Sequence, residues 1–390
     1  MNEERQENID VLIQGAGIGG LAVAIALYQR GYSVQVLERT ERLSEIGAGI
    51  WMAANPMQVF DRLGLADKIA NAGWMIRRVT LEDYKGDILQ ASDISVAAKL
   101  FGFETVALHR SALQRVLFEQ LPLNTVKFGT EVKALIQNDD SVFAQLADGS
   151  KITAKVILGA DGIHSQIRGL ASLGGEKRYS GSSSYRAIAR ATRILPPELD
   201  HDAYEIWGKG CRVGFSKINA KDYYWYMTFD SPAGQSFSPE RRRSHAESLF
   251  RQYFPKWIGL LENTRTEEIL QTDISDLKRL SRWSSGRIGL IGDAAHATTP
   301  NLGQGGAMAI EDAFSIANAF DRLGLTTNAF ELYEKQRRRK VDWTVSTSWS
   351  IGKMCHLRNP IARSLRNAIL KQVLSRSSEK QIQRLYSIAQ

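Results

Sequence analysis

Val11-Leu12-Ile13-Gln14-Gly15-Ala16-Gly17-Ile18-Gly19-Gly20-Leu21 decides how this chain is read. Val11-Leu12-Ile13 is apolar without a break and predicts a strand buried on both faces. Gly15, Gly17 and Gly20 fit the pattern G-x-G-x-x-G. The first glycine permits a tight turn, the second lets a pyrophosphate approach the backbone, and the third lets helix and strand pack closely. Leu21 to Arg30, rich in alanine and leucine, predicts a helix that ends at Gly31. Its N-terminus, reached through Ala16, would offer N–H groups and partial positive charge to phosphate. Ser33 to Leu37 predicts the next strand, and Glu38 follows it. Strand, helix and strand within about 30 residues form the unit of a parallel doubly wound sheet. A carboxylate at Glu38 can accept both hydroxyls of an adenosine ribose and disfavours a 2′-phosphate. The stretch predicts a bound dinucleotide, FAD or NAD rather than NADP.

Two later segments repeat the first strand's character. Val156-Ile157-Leu158 runs into Gly159-Ala160-Asp161-Gly162, and Ile288-Gly289-Leu290-Ile291 runs into Gly292-Asp293. Ligands of such sheets bind at the carboxyl ends of the strands. Strands near positions 11, 156 and 288 are therefore expected to serve one site, in a discontinuous domain of residues 1–75, 103–178 and 273–330. Residues 76–102 and 179–272 carry β-branched and aromatic residues with turn signals, and predict an inserted antiparallel sheet. Residues 331–390 read as a helical C-terminal segment with a break near Pro360.

The segment from Arg287 to Ala313 separates FAD from NAD. Asp293 ends a buried strand and can accept hydroxyls of a polyol chain. Thr299 to Gly306 is a glycine-containing loop that opens an alanine-rich helix. That helix N-terminus can face the flavin edge that becomes negative on reduction. With these residues the chain resembles the class A flavoprotein, para-hydroxybenzoate hydroxylase-like FAD monooxygenases. The matching fingerprints are GAGIGG at 15–20, His109-Arg110-Ser111-Ala112-Leu113, Ala160-Asp161-Gly162-Ile163-His164-Ser165 with Arg168, and Gly292-Asp293-Ala294-Ala295-His296 with Pro300. Their order covers roughly residues 9–340.

The resemblance implies an α/β fold: a discontinuous Rossmann-type FAD domain, an inserted β-sheet substrate domain and a helical C-terminal segment. It implies that Glu38 holds the adenosine ribose, with Arg39 near the adenine. Arg110 would lie near the ribose and pyrophosphate, Asp161 would order the pyrophosphate region, and Asp293 would bind the ribitol. Gly303, Gly305, Gly306 and Ala307 would present backbone to the flavin, and Pro300 would sit beside the isoalloxazine. His296 is expected to be structural. The implied reaction reduces FAD with NAD(P)H, forms a flavin C4a-hydroperoxide with O2, and delivers oxygen to an aromatic ring or double bond. No second G-x-G-x-x-G is evident for the nicotinamide, in keeping with the family.

Substrate contacts are expected from the inserted sheet. Trp207 to Phe215 reads as one strand and Tyr223 to Phe229 as its hairpin partner. Alternation places Tyr224, Tyr226 and Thr228 on one face and Tyr223, Trp225, Met227 and Phe229 on the other. Gly208-x-Gly210-x-Arg212, with Tyr224 twelve residues on, resembles FAD-dependent urate hydroxylase. That resemblance makes Arg212 and Tyr224 the candidate catalytic-site residues, Arg212 favouring an anionic or carbonyl-rich ring. Salicylate-type hydroxylases carry a histidine base where this chain has Gly214 and Phe215. The loop 298–306 also resembles zeaxanthin epoxidase-like members. Arg186 is a second candidate anion contact, and Cys211 could touch the pocket.

Composition narrows the remaining classes. Of 390 residues, 43% are hydrophobic and 24% charged, which excludes a disordered chain. Cys211 and Cys355 stand far apart, which suits a reducing, cytoplasmic setting and offers no closed metal site. The net charge of +8 resides in the tail, because residues 331–390 hold 13 basic and 4 acidic side chains. No nucleic-acid module accompanies that charge, so no nucleic-acid partner is expected. Ile361, Leu365 and Ile369, with Arg363, Arg366 and Lys371 interspersed, form a basic amphipathic helix that either packs on its own protein or lies on an anionic membrane. The expected function is therefore hydroxylation or epoxidation of a small electron-rich molecule by FAD, NAD(P)H and O2. The rivals are a reductase or dehydrogenase of the same fold without oxygen insertion, and a flavin-containing binder of membranes or nucleic acid.

Overall fold

The computed structural model describes residues 8–43, 48–191, 193–373 and 379–388. The apolar run near the N-terminus forms strand Asn8–Gln14, held between two parallel neighbours. Val11 lies opposite Val156 on one side and Val34 on the other. Lys151–Gly159 pairs in parallel with Ile288–Leu290. The three strands end at one edge of an eight-stranded sheet, as the three apolar runs predict. A hairpin, Val132–Gln137 with Val142–Leu146, extends the amino-terminal part of Lys151–Gly159.

Two helices cover the carboxyl edge. Ile18–Tyr28 starts at the glycine turn, where Gly15 has φ 109°. A Cβ on Gly20 would stand 1.9 Å from the Gly15 carbonyl oxygen, so only glycine lets the helix leave the turn this tightly. Gly305–Leu323 crosses it closely, since a Cβ on Gly19 would lie 3.0 Å from that of Ala309. Among the described residues no helix is long and apolar enough to cross a membrane.

The second sheet has seven strands in the order Leu270–Leu277, Lys177–Arg190, Asp222–Asp230, Cys211–Lys217, Asp202–Trp207, Arg78–Asp83, Ile88–Asp93. It differs from the sequence reading in two places. The stretch from Trp207 to Phe215 is not one strand: the chain reverses at 208–210, where Gly210 has φ 71°, and Asp202–Trp207 pairs back onto Cys211–Lys217. Nor is the sheet wholly antiparallel, because Asp202–Trp207 runs parallel to Arg78–Asp83. A parallel pair needs a long crossover, and here that crossover carries a large part of the first sheet. The alternation along Asp222–Asp230 is as expected. Tyr223, Trp225, Met227 and Phe229 join a buried cluster with Phe215, Phe250 and Trp257, leaving Tyr224, Tyr226 and Thr228 on the opposite face.

Buried charge locks the two long helices together. Arg337, on helix Thr327–Cys355, is 1% exposed and donates to Asp312 at 2.8 Å, to Glu311, and to the Met308 carbonyl at 3.3 Å. Asp312 also accepts from the Gly292 N–H at 3.0 Å and meets His296 Nε2 at 2.6 Å. Burial works against the Asp312 charge, but His296 and Arg337 outweigh it and hold the carboxyl well below the usual carboxylate range. Arg337→Ala takes the shared guanidinium from two buried carboxylates, leaving Glu311 with Lys340 and Asp312 with His296. It is expected to cost about 3–5 kcal/mol, read as a lowered urea midpoint with the slope unchanged.

Candidate active site

The carboxyl edge of the first sheet gathers the residues that the sequence singles out. Glu38 accepts the Ala16 N–H at 2.9 Å and the Thr40 N–H at 2.9 Å, so it braces the glycine turn. Gln114 donates to the Ala16 carbonyl at 2.7 Å. Asp161 accepts the N–H groups of Gln166 and Ile167 at 2.7 and 3.1 Å through one oxygen; its other oxygen is buried without a partner. Arg168 joins this turn to the third motif, donating to the Ile163 carbonyl at 2.8 Å and the Ala294 carbonyl at 2.9 Å.

Asp293 lies within reach of the helix that follows, its Oδ1 being 3.9 Å from a Cβ built on Gly305. By surface area Asp293 is exposed, yet protein encloses its other sides. That loss of solvent raises its carboxyl above the ordinary range, against the pull of His296 and Arg110. Arg110 is likewise open to solvent, and its guanidinium is pushed down by desolvation and by Arg186. Exposed groups walled in by protein mark the floor of a cleft. The first internal hydrogen bond of helix Gly305–Leu323 is that of the Met308 N–H to Gln304 at 2.8 Å. The N–H groups of Gly305, Gly306 and Ala307 therefore have no intrahelical acceptor. Gly303 takes φ 64° and Pro300 is exposed on the same loop. Arg39 is exposed beyond Glu38.

These features suit FAD. The free N–H groups at two helix starts and the open space around Gly17 form a cradle for a diphosphate and a ring, and the unpartnered Asp161 oxygen can accept from a hydroxyl beside it. No group of three or more potential metal ligands occurs among the described residues.

The inserted sheet supplies the opposite wall. Tyr224 packs under Gly49, where a Cβ would meet its ring at 2.4 Å, and Tyr226 packs over Gly214 at 2.4 Å. Thus Gly214 makes room for the Tyr226 ring. Arg212 is 2% exposed and bonded on every side: to Glu205 at 2.9 Å, Thr228 at 3.3 Å, Cys355 Sγ at 3.3 Å, and Asn301. Burial opposes its charge, and Glu205 more than restores it, so its pKa rises. Arg186 faces Tyr226 across the strands, donates to Thr272 at 3.1 Å, and has a buried Nε without a partner. Cys211 instead points into the far cluster, where burial pushes its thiol up to about 12. His296 packs against the Trp283 ring and is 5% exposed, as expected of a structural residue.

Sequence reading missed Glu205, Asn301, Cys355 and His356. His356 Nε2 lies 2.9 Å from Thr228 Oγ1, and its Nδ1 lies 2.6 Å from Asp230. Only strand alternation could have found Glu205. The others reach the site from loops and a helix end remote in sequence.

Comparison with known proteins agrees with this geometry. A family described as FAD binding domain matches residues 8–345. Aurachin C monooxygenase/isomerase of Stigmatella aurantiaca is 32% identical over 94% of this chain and 95% of that protein. The 2-heptyl-3-hydroxy-4(1H)-quinolone synthase of Pseudomonas aeruginosa is 30% identical over 97% of each. The crystal structure of Klebsiella pneumoniae HpxO with FAD and uric acid superposes with a TM-score of 0.86 at 25% identity, covering 99% of this chain and 98% of that one. The chain belongs to the FAD binding domain family, and within it to the FAD-dependent monooxygenases.

Proposed function

We propose that this monooxygenase uses NAD(P)H and O2 to hydroxylate or epoxidise an uncharged, electron-rich heteroaromatic ring of the 4-quinolone kind. The observation that carries this reading is the closed pair of Arg212 with Glu205, which leaves no net charge at that point of the substrate wall. Support comes also from the relative whose name contains a 4(1H)-quinolone.

The residues around the cleft divide the work. The N–H groups at Ile18–Gly20 face the diphosphate, with Gly15, Ala16 and Gly17 giving it room. Glu38 retains a lone pair on Oε2 for a ribose hydroxyl, beyond its bonds to the Ala16 N–H and to the N–H and hydroxyl of Thr40. Arg110, Asp161 and Asp293 line the path to the ribitol. Backbone N–H groups at Gly305, Gly306 and Ala307 stabilise negative charge at the flavin edge. When bound, FAD supplies the redox chemistry, taking hydride from NAD(P)H and activating O2. Tyr224, Arg212 and Pro300 orient the ring and keep water out. The two free, buried cysteines support a cytoplasmic setting.

The C-terminal helix is given a second role. Pro360–Val373 docks through Arg366, over the Trp207 ring, and Leu370. Ile361, Leu365 and Ile369 are left 79%, 62% and 49% exposed beside Arg363 and Lys371. A basic helix with an outward apolar ridge suits an anionic membrane surface.

Three outcomes check these readings. A panel of quinolones, purines, phenols and polyenes should include a compound that stimulates NAD(P)H and O2 consumption and gains one 18O atom from 18O2. Stimulated oxidation with no labelled product across the panel would favour the reductase instead. Asp293→Ala should lose its yellow colour on gel filtration, its FAD affinity falling by about tenfold or more; full retention of FAD removes Asp293 from the cradle. Replacing Ile361, Leu365 and Ile369 together by serine should abolish co-sedimentation with vesicles rich in phosphatidylglycerol, and unchanged sedimentation would show that the ridge is not the contact.

A further inference from the structure

Glu205 lies at the centre of the substrate wall, directly opposite Gly214 in the neighbouring strand. One of its oxygens accepts from Arg212 at 2.9 Å and from the Trp207 indole; the other accepts from the Tyr226 hydroxyl. The carboxylate is 21% exposed, so it borders the cleft, whereas Arg212 beneath it is almost wholly covered. Guanidinium offers five N–H donors. Thr228, Glu205, Cys355 and Asn301 draw on four of them.

Charge and hydrogen-bond direction follow from this arrangement. A ligand carboxylate placed beside Arg212 would also stand beside the Glu205 carboxylate, and repulsion from the second cancels attraction to the first. Because the Tyr226 O–H is committed to Glu205, its oxygen offers an acceptor to the cleft. The Tyr224 hydroxyl, near it with ring centroids 6.1 Å apart, has no hydrogen bond among the described residues and can donate. One acceptor beside one donor matches the ring N–H and carbonyl of an uncharged lactam-like heterocycle. Arg186 stands on the same sheet opposite Tyr226, tied to Thr272 at 3.1 Å and with its Nε buried. Arg110 is close enough to be repelled by Arg186 and attracted by Asp293.

We propose that Glu205 sets the charge preference of the pocket, cancelling Arg212 so that the wall selects neutral rings over anionic ones. It acts through Arg212 and Tyr226, as a positioning residue. The proposal rests on the neutral-substrate reading above and names the residue that enforces it.

Benzamide and benzoate are near-isosteric and differ in charge, so their binding separates charge from shape. With FAD-loaded protein, dissociation constants come from perturbation of the flavin absorbance at fixed ionic strength. Wild type should prefer benzamide by about tenfold or more, equivalent to about 1.4 kcal/mol. Glu205→Gln keeps the shape and removes the charge. It should tighten benzoate at least about tenfold while benzamide moves by less than about threefold. Adding Arg212→Gln should erase the gain, since the freed cation is its source. A wild-type preference for benzoate overturns the proposal even if the variant cannot be made. So does a Glu205→Gln protein that retains FAD yet binds benzoate no better, or that shifts both ligands together. Quinolones that prove inert in a protein with the expected benzamide preference would sink the substrate reading and leave Glu205's role standing.

Discussion

Glu311 and Asp312 sit side by side in the first half of helix Gly305–Leu323, both inside the protein, and neither can stay charged there without a matching cation. Arg337 meets both, Lys340 adds a bond to Glu311 at 2.7 Å, and Asn55 a further one at 2.6 Å. This cluster fixes where the helix starts, because Gln304, at the cap, is bonded to the same Asn55 at 2.9 Å. It also fixes the 292–296 turn through the Gly292 N–H and His296. The helix start and Asp293 are the two parts proposed to face the cofactor's ring and chain. The proposed cofactor cleft therefore depends on an ion-pair network buried behind it.

A second dependence runs between the sheets. The parallel sheet ends at an edge of free N–H groups and carboxylates suited to the cofactor. The mixed sheet ends in an aromatic wall suited to a flat ring. Asn301 and Cys355 join the two through Arg212, since Asn301 is also held by the Ser348 carbonyl at 2.8 Å. One guanidinium thus ties the loop at Asn301 to the aromatic wall. Its carboxylate partner determines what charge that wall presents.

The cofactor half of this architecture was legible because its signals are local. A glycine turn, a strand-end carboxylate and an apolar run each lie within a few residues, and their order along the chain supplies the rest. The aromatic wall was half legible: strand alternation sorted Tyr224 from Trp225, but the reversal at 208–210 hid inside a run that reads as one strand. Arg212 was found, whereas its partners were not, because Asn301 and Cys355 lie 89 and 143 residues away. The helix ridge was read correctly as amphipathic. Its outward face was not foreseeable, because docking through Arg366 rather than through the isoleucines depends on the Trp207 ring.

The parallel seam between Arg78–Asp83 and Asp202–Trp207 bears on how the molecule is made. The first sheet takes strands from residue 8 to 290 and the second from 78 to 277, so each is threaded through the other's connections. During synthesis the opening strand emerges long before its partner at 151–159, which in turn waits for 288–290. Pairings this distant in sequence are slow to close and leave strand edges open meanwhile. Flavin capture is accordingly a late event in the life of the chain, and the nascent N-terminal half is the stage at which chaperones have most to protect.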